Sequence, residues 1–340
     1  MERVLIYDMR APAFGTSARA LYPAALDQVA WADELGFDVV GLGEHHSSDD
    51  GYNPSPVSLA CAMAGRSKRI RFRTSVLLAP LYDPIKLAED VAVAQLVSGG
   101  RILMALGFGY RPQEFAMFGH SVKDRWQRTC DACRVLKQAW TGEPFTYQGR
   151  PCRVTPRPDP VPPVMLGGSA PAAARKAAHI ADGWFVPGLD ATVWEPYREE
   201  CLKLGKPDPG DYPKQAPIFV WISRDPERDW EWLLPHILHV LDSYSRWTSE
   251  AYGRPVGPYA GGMTAETIRN SPGYKVLTPE QTIALAEELG DNSSFYLTPL
   301  FAGIAPARSW EMLRLYEREV HPYLRPSPAP TWGVRPPATT

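Results

Sequence analysis

The sequence is poor in cysteine: Cys61, Cys130, Cys133, Cys152 and Cys201 are the only five among 340 residues. So small and odd a number speaks against a disulfide framework and fits reduced thiols. Cys130 and Cys133 form one CxxC, but it lies inside a helical pattern, Trp126 to Trp140, without a second CxxC or a suitably spaced histidine pair, and no metal site is expected there. Charge of one sign is also missing. A formal net charge of -2 and a pI near 6.4 argue against nucleic acid or an anionic membrane as partner and for a small-molecule substrate. No apolar run approaches the roughly 18 residues that cross a bilayer. The opening MERVLIYDMRAP has no cationic, apolar leader, so a cytoplasmic protein is expected.

What is present is a regular alternation. Short, mostly apolar runs (Val4–Met9, Phe37–Leu42, Ile70–Leu78, Arg101–Leu106, Val164–Leu166, Trp184–Val186, Ile218–Ile222, Ser294–Thr298) read as strands. Helical spacing separates them, as in Leu21–Leu35, Pro54–Ala64, Ile85–Val97, Val122–Trp140, Ala170–Ala181, Val193–Leu204, Thr278–Leu289 and Ser309–Tyr323. Eight strands alternating with eight helices predict an α/β fold, a (β/α)8 barrel spanning residues 1–325, with a doubly wound open sheet as the alternative. A hairpin turning at Gln148 and Gly149 is expected within Phe145–Val154. Residues 223–275 read as an insertion after strand seven, and the Pro-rich residues 326–340 as an extended tail.

The chemistry concentrates at strand ends. FDVVGLGEHHSSDDGYNPSP runs from a buried strand into Glu44, His45 and His46, at the barrel end where catalytic side chains gather. Adjacent residues of an extended chain point to opposite sides, so only one of the two histidines faces a pocket. In LGGSAPAAARKAAHIADGWF, Gly167 and Gly168 leave strand five, and Ser169 stands before a helix opening at Pro171. Free amides, the helix dipole and a hydroxyl there make a phosphate site, or alternatively an ordinary capped turn. Gly107, Gly109 and Tyr110 start like GxGxxG, but Pro112 replaces the third glycine, which excludes a dinucleotide fingerprint.

Together these segments (GEHH with the following NP, TSVLLAP with DPIKLAEDVAVAQLVSGGR, LGFGYRPQEFAMFG, and LGGSAPAAARKAAHIADGWF) resemble the bacterial luciferase-like, flavin-dependent monooxygenases. The resemblance implies a barrel that takes reduced FMN from a separate flavin reductase, adds molecular oxygen to it, and oxidises an organic substrate through a flavin-peroxide. It implies a homodimer through helices one to three. It marks His45 as catalytic with Glu44 as its neighbour. Ser75 and Val76 fall at a non-prolyl cis peptide against the flavin, and Gly167, Gly168 and Ser169 at its phosphate. Met9, Gly107 and Tyr110 are expected at the cofactor, and His46, Asn53, Trp221 and Trp230 in the substrate pocket. Gly107 and Phe108 stand where the luciferase catalytic subunit has a cysteine and an arginine, so phosphate charge must be met by backbone amides, Arg111 or Arg175. A deazaflavin-dependent hydride-transfer enzyme and a non-catalytic flavin-binding subunit are the alternatives on the same fold.

Within the insertion, Trp230, Trp232, Leu233, Leu234, Ile237, Leu241, Tyr244 and Trp247 form a helical aromatic stripe, followed by a Gly-rich stretch, Gly253–Gly262. The stripe is expected either to cover the site as a lid or to pack on the barrel or a second subunit. His236 and His239 are expected on the helix surface.

Overall fold

The computed structural model describes residues 1–186, 191–257 and 263–325; the tail and the end of the Gly-rich stretch lie outside them. Strand β1 (Glu2–Tyr7) is followed by α1 (Ala18–Leu35), β2 (Val39–Leu42), α2 (Pro56–Ala64), β3 (Arg71–Thr74), β4 (Leu77–Leu78), α3 (Pro84–Ser98) and β5 (Ile102–Gly107). Then come α4 (Pro112–Met117), α5 (Arg125–Ala139), β6 (Phe145–Tyr147), β7 (Arg150–Cys152), β8 (Val164–Gly167), α6 (Pro171–Ile180), β9 (Gly183–Phe185) and α7 (Trp194–Lys203). The remainder is β10 (Lys214–Gln215), β11 (Phe219–Ile222), α8 (Pro226–Tyr252), α9 (Ala265–Asn270), β12 (Tyr274–Leu277), α10 (Pro279–Leu289), β13 (Ser293–Leu297) and α11 (Pro306–Glu319).

The helix boundaries follow local chemistry. Gly36 and Gly99 end α1 and α3 in the left-handed conformation, returning their amides to carbonyls of the last turn. Asp83 caps α3 by accepting from the amides of Ile85 and Lys86, and Thr278 forms a capping box with Gln281 at α10. β6 and β7 make the expected antiparallel hairpin, with Gln148 and Gly149 both at positive φ.

The main sheet is parallel and follows the chain: β1, β2, β3, β5, β8 and β9 are neighbours in that order, and β13 pairs with the free side of β1. First strand beside last is the order a (β/α)8 barrel requires. β11 pairs in parallel with β12 and packs beside β13. Among the described residues no ladder joins β9 to β11. The stretch expected as an insertion is therefore not one excursion. It holds the long helix α8, the short α9, and the start of β12, which pairs with β11 in a two-stranded parallel sheet of their own.

One irregularity shapes the mouth. Phe72 and Arg73 pair with Ile102 and Leu103, whereas Leu77 and Leu78 pair with Leu106 and Gly107, so three residues (74 to 76) face two (104 and 105). The extra residue is a bulge. Thr74 Oγ1 donates to the Ala105 carbonyl at 2.9 Å and accepts from its amide at 2.8 Å, replacing part of the interrupted ladder. The Ser75–Val76 peptide in the bulge is cis. Val76 then occupies a slot made by two glycines that face each other across β5 and β8: a Cβ on Gly107 would lie 2.2 Å, and one on Gly167 2.7 Å, from its methyl carbons. These two glycines, expected at the cofactor, are needed first to receive a valine.

Gly107→Ala should therefore destabilise the protein by about 1–3 kcal/mol through overpacking, and Val76→Ala in the same chain should recover most of that loss. Thermal unfolding of the two single variants and the double variant gives the coupling; additive losses would contradict the slot.

Candidate active site at the C-terminal mouth

The carboxyl ends of the strands carry the unusual backbone. Among the described residues, Met9 after β1, Ser47 after β2 and Ala302 after β13 are non-glycine residues with positive φ. Such conformations persist only where surrounding structure holds them, and they gather at functional sites.

Here β2 delivers Glu44, His45 and His46, all buried. Their side chains do separate as expected. His45 Nδ1 donates to Glu114 Oε1 at 2.8 Å, and the same oxygen accepts the His46 amide at 2.9 Å and Arg111 Nη1 at 3.2 Å. Arg111 Nη1 also donates to the His46 carbonyl at 2.7 Å. His46 turns the other way, donating through Nε2 to Glu44 Oε1 at 2.7 Å and packing against Phe118. Glu44 also accepts the Leu78 amide and the Tyr82 hydroxyl, both at 2.7 Å. Glu44 and His46 thus tie the end of β2 to the segment after the bulge, and the pocket role expected of His46 gives way to a clamp.

A carboxylate can only accept, so His45 carries its proton on Nδ1 and keeps a lone pair on Nε2. Burial lowers its pKa below the ordinary histidine value; Glu114 opposes that, and the Arg10 and Arg111 charges assist it. Burial works against ionised Glu114, but the hydrogen bonds from His45 and the His46 amide and the charge of Arg111 outweigh it and hold the carboxyl below its usual value. The pair is a neutral imidazole beside an ionised carboxylate. Four rings surround that imidazole: Tyr52 at 4.9 Å, Trp247 at 4.8 Å, Tyr244 at 5.7 Å and Tyr110 at 5.9 Å between centroids.

Tyr244 and Trp247 come from α8, so the aromatic stripe lies across the mouth. His239 Nε2 donates to Asp50 at 2.7 Å and His236 Nδ1 to the Ala302 carbonyl at 2.9 Å. Both histidines face the barrel, contrary to the expected surface position, because the polar loop ends after β2 and β13 offer acceptors to that side of the helix. Trp230 sits 17 residues from Trp247 on α8, about 25 Å away at ~1.5 Å per residue, against the Arg269 guanidinium. Trp221 packs on Trp232 and lines a separate cavity of about 180 Å³ with Arg308 and Met312. Neither tryptophan joins His45. Asn53 is also a structural residue: Nδ2 donates to the Gly43 carbonyl at 2.9 Å, its amide to the Asp8 carbonyl at 2.9 Å, and its carbonyl accepts from the His45 amide at 3.2 Å. Met9 is fully buried where β1 ends. Tyr110 stacks on Tyr252, its hydroxyl buried without a partner.

The expected phosphate turn is open. α6 is capped by Ala170 rather than Ser169, with no side-chain cap bond and no acidic residue in its first turn. Ser169 is exposed one residue earlier; Pro171 has no amide hydrogen and the Ala173 and Ala174 amides bond the Ala170 carbonyl, which leaves the Ala172 amide and the Ser169 hydroxyl available. These groups fit a phosphoryl group. Arg111, one of two cations considered for it, is committed to Glu114 and to Trp247, 4.1 Å from that ring; Arg175, exposed on α6, remains.

Glu114 was not singled out from the sequence. It follows β5 inside QEF, without any charge pattern to distinguish it, and only the fold brings it under β2. Glu114→Gln should shift the His45 titration further below its ordinary value, because the one group that raises it loses its charge while burial and two arginines persist. Nitrogen-detected NMR of the imidazole across pH 4–8 measures this; an unchanged or raised midpoint would contradict the pairing.

Comparison with known proteins places this geometry. The chain is 31% identical over 189 residues to an F420-dependent glucose-6-phosphate dehydrogenase of Microbacterium testaceum, covering 52% of this chain and 55% of that one. It thus spans about half the length of the curated relatives it matches. In structure it is similar to the monooxygenase RslO1 of Streptomyces bottropensis, with a TM-score of 0.78 at 22% identity over 95% of this chain and 99% of that one. The oxygenating constituent of 3,6-diketocamphane monooxygenase of Pseudomonas putida, solved with FMN, gives 0.72 at 20% identity over 96% and 100%. The family model described as luciferase-like monooxygenase matches residues 3–291, and the chain belongs to that family of enzymes.

Proposed function

We propose that this protein is a monooxygenase that uses reduced FMN and dioxygen to oxidise an organic substrate beside His45. The observation that carries the reading is the dryness of the site: His45 is 7% exposed and walled by four aromatic rings. Oxygen chemistry on a flavin is lost to hydrogen peroxide where water enters, so a covered imidazole suits it. When bound, reduced FMN supplies the two electrons with which one oxygen atom enters the substrate and the other leaves as water.

Each residue then has a task. The Ala172 amide and the Ser169 hydroxyl at the opening of α6 hold the phosphoryl group, and Arg175 contributes charge. Val76, seated by Gly107 and Gly167, presents the bulge to the ring system, with Ser75 beside it. His45 Nε2 accepts a proton from the substrate or a hydrogen bond from the reacting oxygen, while Glu114 fixes the tautomer and stabilises the cation that forms. Glu44 and His46 keep the end of β2 in place. A separate flavin reductase delivers the cofactor, and a second copy of the chain covers Val93, Leu96 and Val97, which stand exposed on α3.

A second reading rests on the F420-dependent relatives: the same imidazole could take the proton of an alcohol as hydride leaves for a deazaflavin. Binding titrations and oxygen uptake separate the two. Reduced FMN should bind and support substrate-dependent oxygen consumption, and His45→Ala should lower turnover by about 10²-fold or more. Preference for F420 with no oxygen uptake would overturn the monooxygenase reading, unchanged turnover in His45→Ala would remove His45 from the chemistry, and FMN binding with no turnover in the unaltered chain would point to a non-catalytic flavin-binding role.

A further inference from the structure

Arg10 is an arginine with no exposed surface, placed where β1 ends. Its Nη1 donates to Asp50 at 2.6 Å, whereas Nε and Nη2 make no hydrogen bond, the nearest carboxylate to Nε being Asp8 at 3.9 Å, beyond hydrogen-bond reach. Those two nitrogens form one edge of the guanidinium, two parallel N–H groups shaped for a planar acceptor. Leaving such an edge unpaired and buried is costly, so it is most naturally completed by something that enters the site.

The surroundings say what. Tyr52, Tyr244 and Trp247 lie 4.8, 5.2 and 4.7 Å from the guanidinium carbon, and the same three rings enclose His45. Nearby, Arg111 Nε and the Tyr110 hydroxyl are also buried without partners, as is Glu114 Oε2. Unpaired donors outnumber acceptors there, which calls for oxygen acceptors on an otherwise apolar, flat molecule. The charges oppose an anion. Arg10 faces both Asp50, held ionised well below its usual value, and Asp8, 3.9 Å away, pushed by burial only to about 6 and so ionised at neutral pH. Arg111 is matched by Glu114. A substrate carboxylate would be a third negative charge around one guanidinium, whereas a carbonyl adds none.

We propose that the substrate is a planar, uncharged molecule bearing a carbonyl oxygen, and that the free Nε–Nη2 edge of Arg10 selects it. This rests on the reading of His45 as the reacting centre. Arg10 then acts as a specificity-determining residue, gripping the carbonyl while the aromatic rings hold the plane of the molecule near the imidazole.

Equilibrium dialysis of the full chain at pH 7.5, with and without FMN, tests this using three probes of similar size: coumarin, a planar lactone; naphthalene, which has no acceptor; and 2-naphthoate, a carboxylate. Coumarin should bind about tenfold or more tighter than naphthalene, with 2-naphthoate weaker than coumarin. Arg10→Met, its fold checked by circular dichroism, should reduce the coumarin advantage to about threefold or less. Equal affinity for coumarin and naphthalene in the unaltered chain, or tighter binding of 2-naphthoate, overturns the proposal even if Arg10→Met does not fold, as does an advantage that survives in a folded variant. Probe binding is read without turnover, so a chain that discriminates as expected but binds no FMN leaves the Arg10 assignment standing and sinks the cofactor reading instead.

Discussion

One buried oxygen atom organises the mouth of this protein. Glu114 Oε1 gathers the His45 imidazole, the His46 amide and the Arg111 guanidinium, and through them joins the end of β2 to the helix after β5. A carboxylate so deep keeps its charge only because three donors meet it; remove one partner and the others are left uncompensated. The same constraint decides the chemistry. The proton sits on Nδ1, Nε2 is left as a base, and burial beside two arginines keeps the ring neutral around physiological pH.

The rest of the site follows from keeping that imidazole dry and oriented. α8 lies over it through Tyr244 and Trp247, and is held down by His239 on Asp50 and His236 on the Ala302 carbonyl. Trp247 lies within cation–π distance of two guanidinium groups, those of Arg10 and Arg111, which come from different strand ends. Around His45 the site therefore has a polar, aromatic wall of Arg10, Tyr52 and α8. The bulge between β3 and β4 sends Val76 into the space left by Gly107 and Gly167.

Much of the fold could be read from the chain because its signals are local. Glycine after a helical run, Pro at a first turn, and an apolar run between them gave the alternation, and Glu44–His46 stood at a strand end where the barrel gathers its chemistry. The open turn before α6 was legible for the same reason, although the cap shifted from Ser169 to Ala170. The misses are all long-range. Nothing near Glu114 shows that it meets a histidine 69 positions earlier. Gly107 and Gly167 look like cofactor glycines until the bulge shows Val76 between them. Asn53 reads as a pocket residue, yet its amide is used up fastening the loop. Trp230 shares a helix with Trp247, and only helix length separates it from the site. His236 and His239 were placed outside because a helix face cannot be assigned without the strand ends it meets.

The most direct test is a crystal structure of the protein soaked with reduced FMN under anaerobic conditions. The account predicts the phosphoryl group on the Ala172 amide and the Ser169 hydroxyl at the opening of α6, the flavin ring against Val76, and His45 facing that ring with Nδ1 still on Glu114. A flavin bound away from β2, or a His45 ring turned from Glu114 toward another partner, would contradict it.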